Sequence, residues 1–307
     1  MKVEKWLMDS DHNILEYVVD STGKYVFLRE ILTNHLKLSH SLQTKLKSQN
    51  KIKVNGQTTL TNYRLRPGDR ITVDISLQEK SKVKAIPFPL NVIYEDPDCL
   101  VINKPPGMAV HSQRGGTDIT LANAVTYYLA ERDKASLIRP INRLDKETSG
   151  LILVGKSQYA HQAIFRQQRA GTIIRRYLAV VEGIVSPDNG AIDLPIAQLD
   201  PDLRPRTVAP SGKRAITYFT VVKRLKDSTL LSLTLGTGRT HQIRVHLSHM
   251  GYPIYGDDLY GHPSPLIGRQ ALHAGQLFFS QPRTGQELHL EAPMPPDIIE
   301  LLAKLPE

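Results

Sequence analysis

Cysteine is nearly absent: Cys99 is the single one in 307 residues. One thiol closes no intramolecular disulfide and builds no thiolate metal cage. Set in the apolar run Cys99-Leu-Val-Ile102, it reads as a small buried hydrophobe in a reducing compartment. No apolar run is long enough to span a bilayer, and the charged segment after Met1 lacks the apolar stretch of a secretory leader. The expected location is the cytoplasm. Acids are scarce, 30 Asp and Glu against 39 Lys and Arg, which leaves a net charge of +9 and a pI of about 9.5. That excess favours polyanions, nucleic acid or an anionic membrane surface. A hydrophobic fraction of 40% supports a sizeable core, in one large domain or two ordinary ones.

Residues 1–23 alternate and read as a first strand or an extension. Residues 24–75 read as a compact unit. Val26, Leu28, Ile31, Leu32 and Leu36 have helical spacing. Ser39 or Ser41 is suited to cap a second helix through Leu46. Lys51–Asn55 alternates into Asn55-Gly56, a hairpin signal, and Pro67-Gly68 turns into a strand ending at Ile75. Between Lys24 and Lys53 seven Lys or Arg face one acid, Glu30. Residues 76–89 are charged and then broken by Pro87 and Pro89, which suits a linker and a domain boundary.

Beyond it, Val92–Asp96 and Cys99–Ile102 read as strands around a turn. Asn103-Lys-Pro-Pro-Gly-Met-Ala-Val-His111 is a loop fixed by its prolines, and His111 is either a base or a hydrogen-bonded loop histidine. Residues 117–133 read as a helix. The segment Ile138–Val154 opens with Pro140, which favours extended backbone, and ends in the buried-strand run Leu151–Val154. Its polar turn carries Arg143, Asp145, Lys146 and Glu147 and closes at Gly150. A carboxylate beside cations on a loop feeding a buried strand suits a reactive group on a rigid support. The plain alternative makes Asp145 a turn residue and Arg143 its surface partner. A basic helix, Gln158–Ala170, then stops at Gly171. Residues 172–183 read as a strand, 186–215 as a loop with a hairpin, and Thr217–Val222 and Thr229–Leu235 as strands. In Gly236–Gly251, Thr240 reads as a helix cap and Ile243, Leu247 and Met250 as the buried stripe. His241, His246 and His249 have no acid beside them and share no ligand face, so no metal is expected.

Arg143-Leu-Asp145, followed by Thr148-Ser-Gly150 and an aliphatic strand, resembles the signature of the RluA-type pseudouridine synthases. Lys104-Pro-Pro-Gly107, Arg175-Arg-Tyr177, Arg239-Thr-His-Gln-Ile-Arg244, Tyr255–Gly261, Leu272-His-Ala274 and Glu291–Pro296 continue the resemblance in order across 90–300. Two positions depart from it: Asn142 stands where the family more often has His, and Arg175 where it has Lys. Residues 24–75 resemble the alpha-L RNA-binding module first named in a small-subunit ribosomal protein.

The resemblance implies an α+β fold. A catalytic domain on a mixed, largely antiparallel sheet would span 90–307, with a small α+β RNA-binding module in 1–75 attached flexibly through 76–89. It implies an isomerase converting uridine to pseudouridine in RNA, which breaks the base–ribose bond and rejoins the base through carbon 5 without cofactor. Large-subunit ribosomal RNA is the favoured partner, transfer RNA the second, and a monomer away from membranes the expected form. Asp145 would be the catalytic carboxylate and Arg244 the cation that keeps it ionised. Arg143 would fill the gap left by a flipped uridine, Tyr177 would stack on that base and manage a proton, and Leu272 would floor the pocket. Arg29, Lys45 and Lys51 would meet RNA phosphates. Outside this reading stand a non-catalytic RNA chaperone and a metal-dependent nuclease or hydrolase.

Overall fold

The computed structural model describes residues 13–77, 83–112, 118–131, 137–200 and 205–307. Part of the expected N-terminal strand or extension, part of the linker and both ends of the expected 117–133 helix lie outside the described residues.

The first unit begins with β1 (Ile14–Val18), a short helix α1 (Leu28–Glu30) continuing as a π-helical turn (Ile31–His35), and α2 (His40–Ser48). It ends with β2 (Ile52–Val54), β3 (Gln57–Thr58) and β4 (Arg70–Asp74), paired antiparallel in the order β1-β4-β2-β3. Ser39 caps α2, its hydroxyl accepting from Leu42 N at 3.2 Å. Asn55 and Gly56 both have positive φ, +52° and +81°, as the tight hairpin requires. Leu28, Ile31, Leu32, Leu42 and Leu46 bury against Leu15, Ile52, Ile71 and Val73. Val26 departs from the expected stripe and is 44% exposed. It lies in the bend before α1, where its N–H donates to the Glu30 carboxylate at 2.7 Å.

The second unit comprises β5 (Val92–Glu95), β6 (Cys99–Lys104), α3 (Leu121–Ala130), β7 (Arg139–Pro140), β8 (Ser149–Gly155) and α4 (Gln158–Ala170). There follow β9 (Ile174–Glu182), β10 (Asn189–Asp193), β11 (Ile196–Ala197), β12 (Thr207–Val208), β13 (Ile216–Arg224) and β14 (Ser228–Leu235). The chain closes with α5 (Gln242–His249), β15 (Leu272–Ser280), β16 (Glu287–Glu291) and α6 (Pro296–Lys304). A ten-stranded sheet runs β10-β13-β14-β9-β15-β8-β6-β5, with β16 paired to β15 and β7 to β8. Only β8 and β15 pair in parallel; the other strands in this sheet pair antiparallel, so the sheet is mixed and largely antiparallel.

All seven residues of β8 are buried, because both faces of this central strand are covered. Ile152 and Val154 join the large core, and Leu151 and Leu153 join a second core with Cys99, Ile164 and Phe279. Gly150 has φ +113°, and a Cβ there would lie 2.3 Å from Ala274 O. Only glycine fits where β8 meets β15.

The N-terminal unit touches the second one at several points. Tyr159 of α4 is buried in its core. Lys45 Nζ donates to Gln158 Oε1 at 3.0 Å, Arg166 to Lys37 O at 2.9 Å, and Arg283 to Ile14 O at 3.3 Å.

Candidate active site

The loop carrying Asp145 is anchored at several points. Thr148 N donates to Asp145 O at 3.1 Å, closing the turn. Asn142, 4% exposed, donates to Leu151 O at 3.1 Å and accepts from Leu153 N at 2.9 Å. Its amide thus behaves as one more peptide along β8, which accounts for a neutral side chain there. Lys104 is fully buried, and its Nζ donates to Pro105 O, Met108 O and Lys146 O at 2.7, 2.9 and 2.9 Å. Burial pushes its pKa down to about 7, while three carbonyls use all three N–H groups of the ammonium. Arg269 donates to Glu147 O at 3.0 Å and Gln270 to Thr148 Oγ1 at 3.1 Å. The backbone is fixed on all sides while the Asp145 side chain stays 27% exposed.

The opposing group comes from α5. Gln242 is buried, and its Oε1 accepts from Thr237 Oγ1 at 2.8 Å and Arg239 N at 2.9 Å. Its Nε2 donates to Ile216 O at 2.8 Å. This side chain pins the start of α5 to β13. Thr240 is therefore not the cap that the sequence suggests; His241 is the N-cap, with no side-chain cap bond. Met250 is likewise corrected: α5 stops at His249, and Met250 is 48% exposed beyond the stripe of Ile243 and Leu247.

Arg244 then projects to Asp145, Nη1 to Oδ2 at 3.2 Å, across 99 residues of sequence. Asp257, fully buried, takes Nε at 2.6 Å and Nη2 at 2.7 Å and also accepts from Leu259 N and Tyr260 N. The Tyr260 ring lies 5.0 Å from the guanidinium. Burial works against the charge on Arg244, but Asp257 and then Asp145 outweigh it and raise its pKa.

Tyr177 pairs with Ala274 and Leu272 with Ala179, so the two side chains are diagonal neighbours on one face of β9 and β15. Both are 4% exposed. Burial raises the Tyr177 pKa, with Asp145 adding to the effect and Arg175 opposing it. Arg143 and His111 are exposed. The structure thus brings Asp145 to Arg244 and sets Tyr177 beside Leu272. Arg29, Lys45 and Lys51 are apart from them in the N-terminal unit. Arg29 is exposed over the Phe27 ring at 4.5 Å. Lys51 is committed to Asp74 at 2.5 Å and Ser76 Oγ at 2.7 Å, and is only 20% exposed.

Sequence reasoning missed Asp257, Tyr260, Arg269 and Lys104 as parts of this constellation. Asp257 and Tyr260 lie in the Tyr255–Gly261 stretch, whose paired acids and tyrosines were the available signal. Among the described residues no group of three or more His, Cys, Asp or Glu side chains is arranged to hold a metal ion. Nor, among them, is any helix long and apolar enough to cross a membrane.

Known proteins resemble this chain over most of its length. The family described as RNA pseudouridylate synthase matches residues 98–249. The chain is 43% identical over 256 residues to "Uncharacterized RNA pseudouridine synthase YlyB" of Bacillus subtilis, covering 82% of this chain and 84% of that one. It is 36% identical over 277 residues to "Ribosomal large subunit pseudouridine synthase D" of Vibrio cholerae, covering 84% of each. The solved structure "Human RNA Pseudouridylate Synthase Domain Containing 4" superposes with a TM-score of 0.57 at 24% identity, over 71% of this chain and 95% of that one. The family match and these relatives define the class, an isomerase that makes pseudouridine in RNA. The chain belongs to the RluA-type RNA pseudouridine synthases.

Proposed function

We propose that the chain isomerises uridine in structured large-subunit ribosomal RNA, with Asp145 as the catalytic carboxylate. The observation that carries this reading is the ion pair between Asp145 and Arg244, itself held from behind by Asp257. A carboxylate can attack the ribose, add to the base, or remove a ribose proton to give a glycal. Each route begins with an ionised oxygen in a site that the RNA closes to water. A guanidinium fixed against Oδ2 supplies the countercharge.

The target base must leave its stack, at a cost of roughly a few kcal/mol. Arg143, exposed two residues before Asp145, fills the vacated gap. Tyr177 stacks on the extruded uracil over Leu272, and its phenol, kept protonated by burial, handles the proton at carbon 5. The basic N-terminal unit, 1–75, serves as an RNA-binding module ahead of a 76–89 linker and a 90–307 catalytic domain, with Arg29 and Lys45 toward phosphates. The ribosomal substrate is carried by the names of relatives such as the Vibrio cholerae protein.

The test is incubation of a uridine-containing ribosomal RNA fragment with purified protein in chelator, followed by a pseudouridine-specific chemical readout. Wild type converts the RNA and Asp145→Asn does not. Turnover by Asp145→Asn at the wild-type rate refutes the assignment.

A further inference from the structure

His241 combines a strained backbone with an unusual hydrogen-bond chain. At φ +56° and ψ +20° it is left-handed at the start of α5, a region that residues bearing a Cβ seldom occupy and that marks functional positions. The conformation carries the ring to Asp145. His241 Nε2 lies 3.9 Å from Oδ1, the carboxylate oxygen that Arg244 does not hold. Its Nδ1 lies 2.8 Å from the Tyr260 hydroxyl, which accepts from Arg206 N at 2.7 Å.

Those contacts favour one tautomer of the ring. The Tyr260 phenol has one proton, and of its two hydrogen-bond partners only His241 Nδ1 can accept it. With Nδ1 as the acceptor the phenol's proton is used within the pair, and the neutral imidazole carries its hydrogen on Nε2, facing Asp145. Burial favours the neutral ring by lowering its pKa, against the pull of Asp145.

We propose that His241 is a positioning residue for the isomerisation. Its Nε2–H holds Asp145 Oδ1 while Arg244 holds Oδ2, so that the plane of the carboxylate is fixed when the uridine arrives. At 3.9 Å the contact is longer than a hydrogen bond, and it shortens to one in the complex with RNA, as catalytic contacts commonly do. The inference rests on Asp145 being the catalytic carboxylate.

The experiment compares His241→Leu, His241→Gln and Asp145→Asn in single-turnover conversion of a ribosomal RNA fragment, with RNA affinity measured separately. His241→Leu slows product formation about 10²-fold, the loss expected of a misoriented reacting group, while RNA affinity stays within about twofold. His241→Gln, whose amide N–H reaches toward the same place, recovers about tenfold of that loss. Nitrogen-15 shifts of the imidazole in the resting protein report the proton on Nε2, and Tyr260→Phe releases it to exchange between the two nitrogens. Wild-type turnover by His241→Leu beside an inactive Asp145→Asn overturns the inference and spares the Asp145 reading. Equal losses in the Leu and Gln variants together with weakened RNA binding overturn it too, leaving His241 a merely structural role. A proton found on Nδ1 in the wild type overturns it whether or not the variants fold. An active Asp145→Asn removes the reading beneath it.

Discussion

Asp257 holds Arg244 by Nε and Nη2 and leaves Nη1 turned toward Asp145. The guanidinium is therefore oriented before any RNA arrives, and its geometry at Asp145 depends on a residue outside the cleft. Arg244→Met should abolish turnover. It should also destabilise the protein by about 3–5 kcal/mol, because Asp257 is left buried without its countercharge. The double variant Arg244→Met with Asp257→Asn separates these effects: urea unfolding should recover much of the stability, and pseudouridine formation should stay absent. Activity in the double variant would disconnect Arg244 from the chemistry.

Gly150, the second residue of β8, follows the Asp145 loop and lies against the backbone of Ala274 in β15. A methyl group there would lie 2.3 Å from Ala274 O and 2.6 Å from Ala274 N, both backbone atoms that cannot swing aside. Gly150→Ala should cost roughly 3 kcal/mol or more and shift Asp145 relative to Leu272. Thermal unfolding and turnover should fall together. An Ala variant with unchanged melting temperature would mean that the two strands separate easily.

What the residue order made legible follows from how local each feature is. The Leu151–Val154 run announced a doubly covered strand, and Asn55-Gly56 a hairpin, because each depends on neighbours alone. The approach of Arg244 to Asp145 spans 99 positions, so only the resemblance of separate motifs could join them. The cap of α5 was misread because a long side chain, Gln242, replaces the short one expected at Thr240. The contact of Tyr159 on α4 with the N-terminal unit was not legible, because this tyrosine looks like any amphipathic helix residue. Lys51 counts as a free cation in a tally of charge, yet Asp74 on the next strand takes it up.

Tyr177→Phe keeps the ring and removes the hydroxyl. If the ring stacks on the base and the phenol moves a proton, RNA affinity should stay within about twofold while single-turnover product formation slows roughly 10²–10⁴-fold, the span of general acid–base contributions. Affinity and rate would be measured on one RNA fragment. A parallel fall in both would reduce Tyr177 to packing.

Two buried histidines make stability depend on acid. His246 donates Nε2–H to Leu194 O and accepts from Thr217 Oγ1, each at 2.9 Å. His273 donates to Ala292 O at 3.2 Å and accepts from Ser149 Oγ at 2.9 Å. Burial is the main cause lowering both pKa values below 6.5, so as pH falls the unfolded chain binds protons first. Their contribution is fully present above about pH 6.5 and is lost as pH drops through the folded values, with a limiting slope of about 1.4 kcal/mol per unit per group. Urea midpoints should decline through this window, and His246→Gln should flatten the decline. Midpoints that hold steady would show that the fold accepts imidazolium at both places.

The N-terminal cations should divide into two kinds. Arg29 is exposed beside Phe27, whereas Lys51 is held by Asp74 and Ser76. Neutralising a phosphate releases a counterion, so Arg29→Ala should weaken RNA binding on any sequence and reduce the salt slope by about 1. Lys51→Met should leave the slope nearly unchanged. It should lower stability by roughly 1 kcal/mol, the range of a partly exposed ion pair with a charged hydrogen bond. Binding titrations over a series of salt concentrations, paired with urea unfolding, distinguish the two. A slope that changes with Lys51 and not with Arg29 would reverse this assignment.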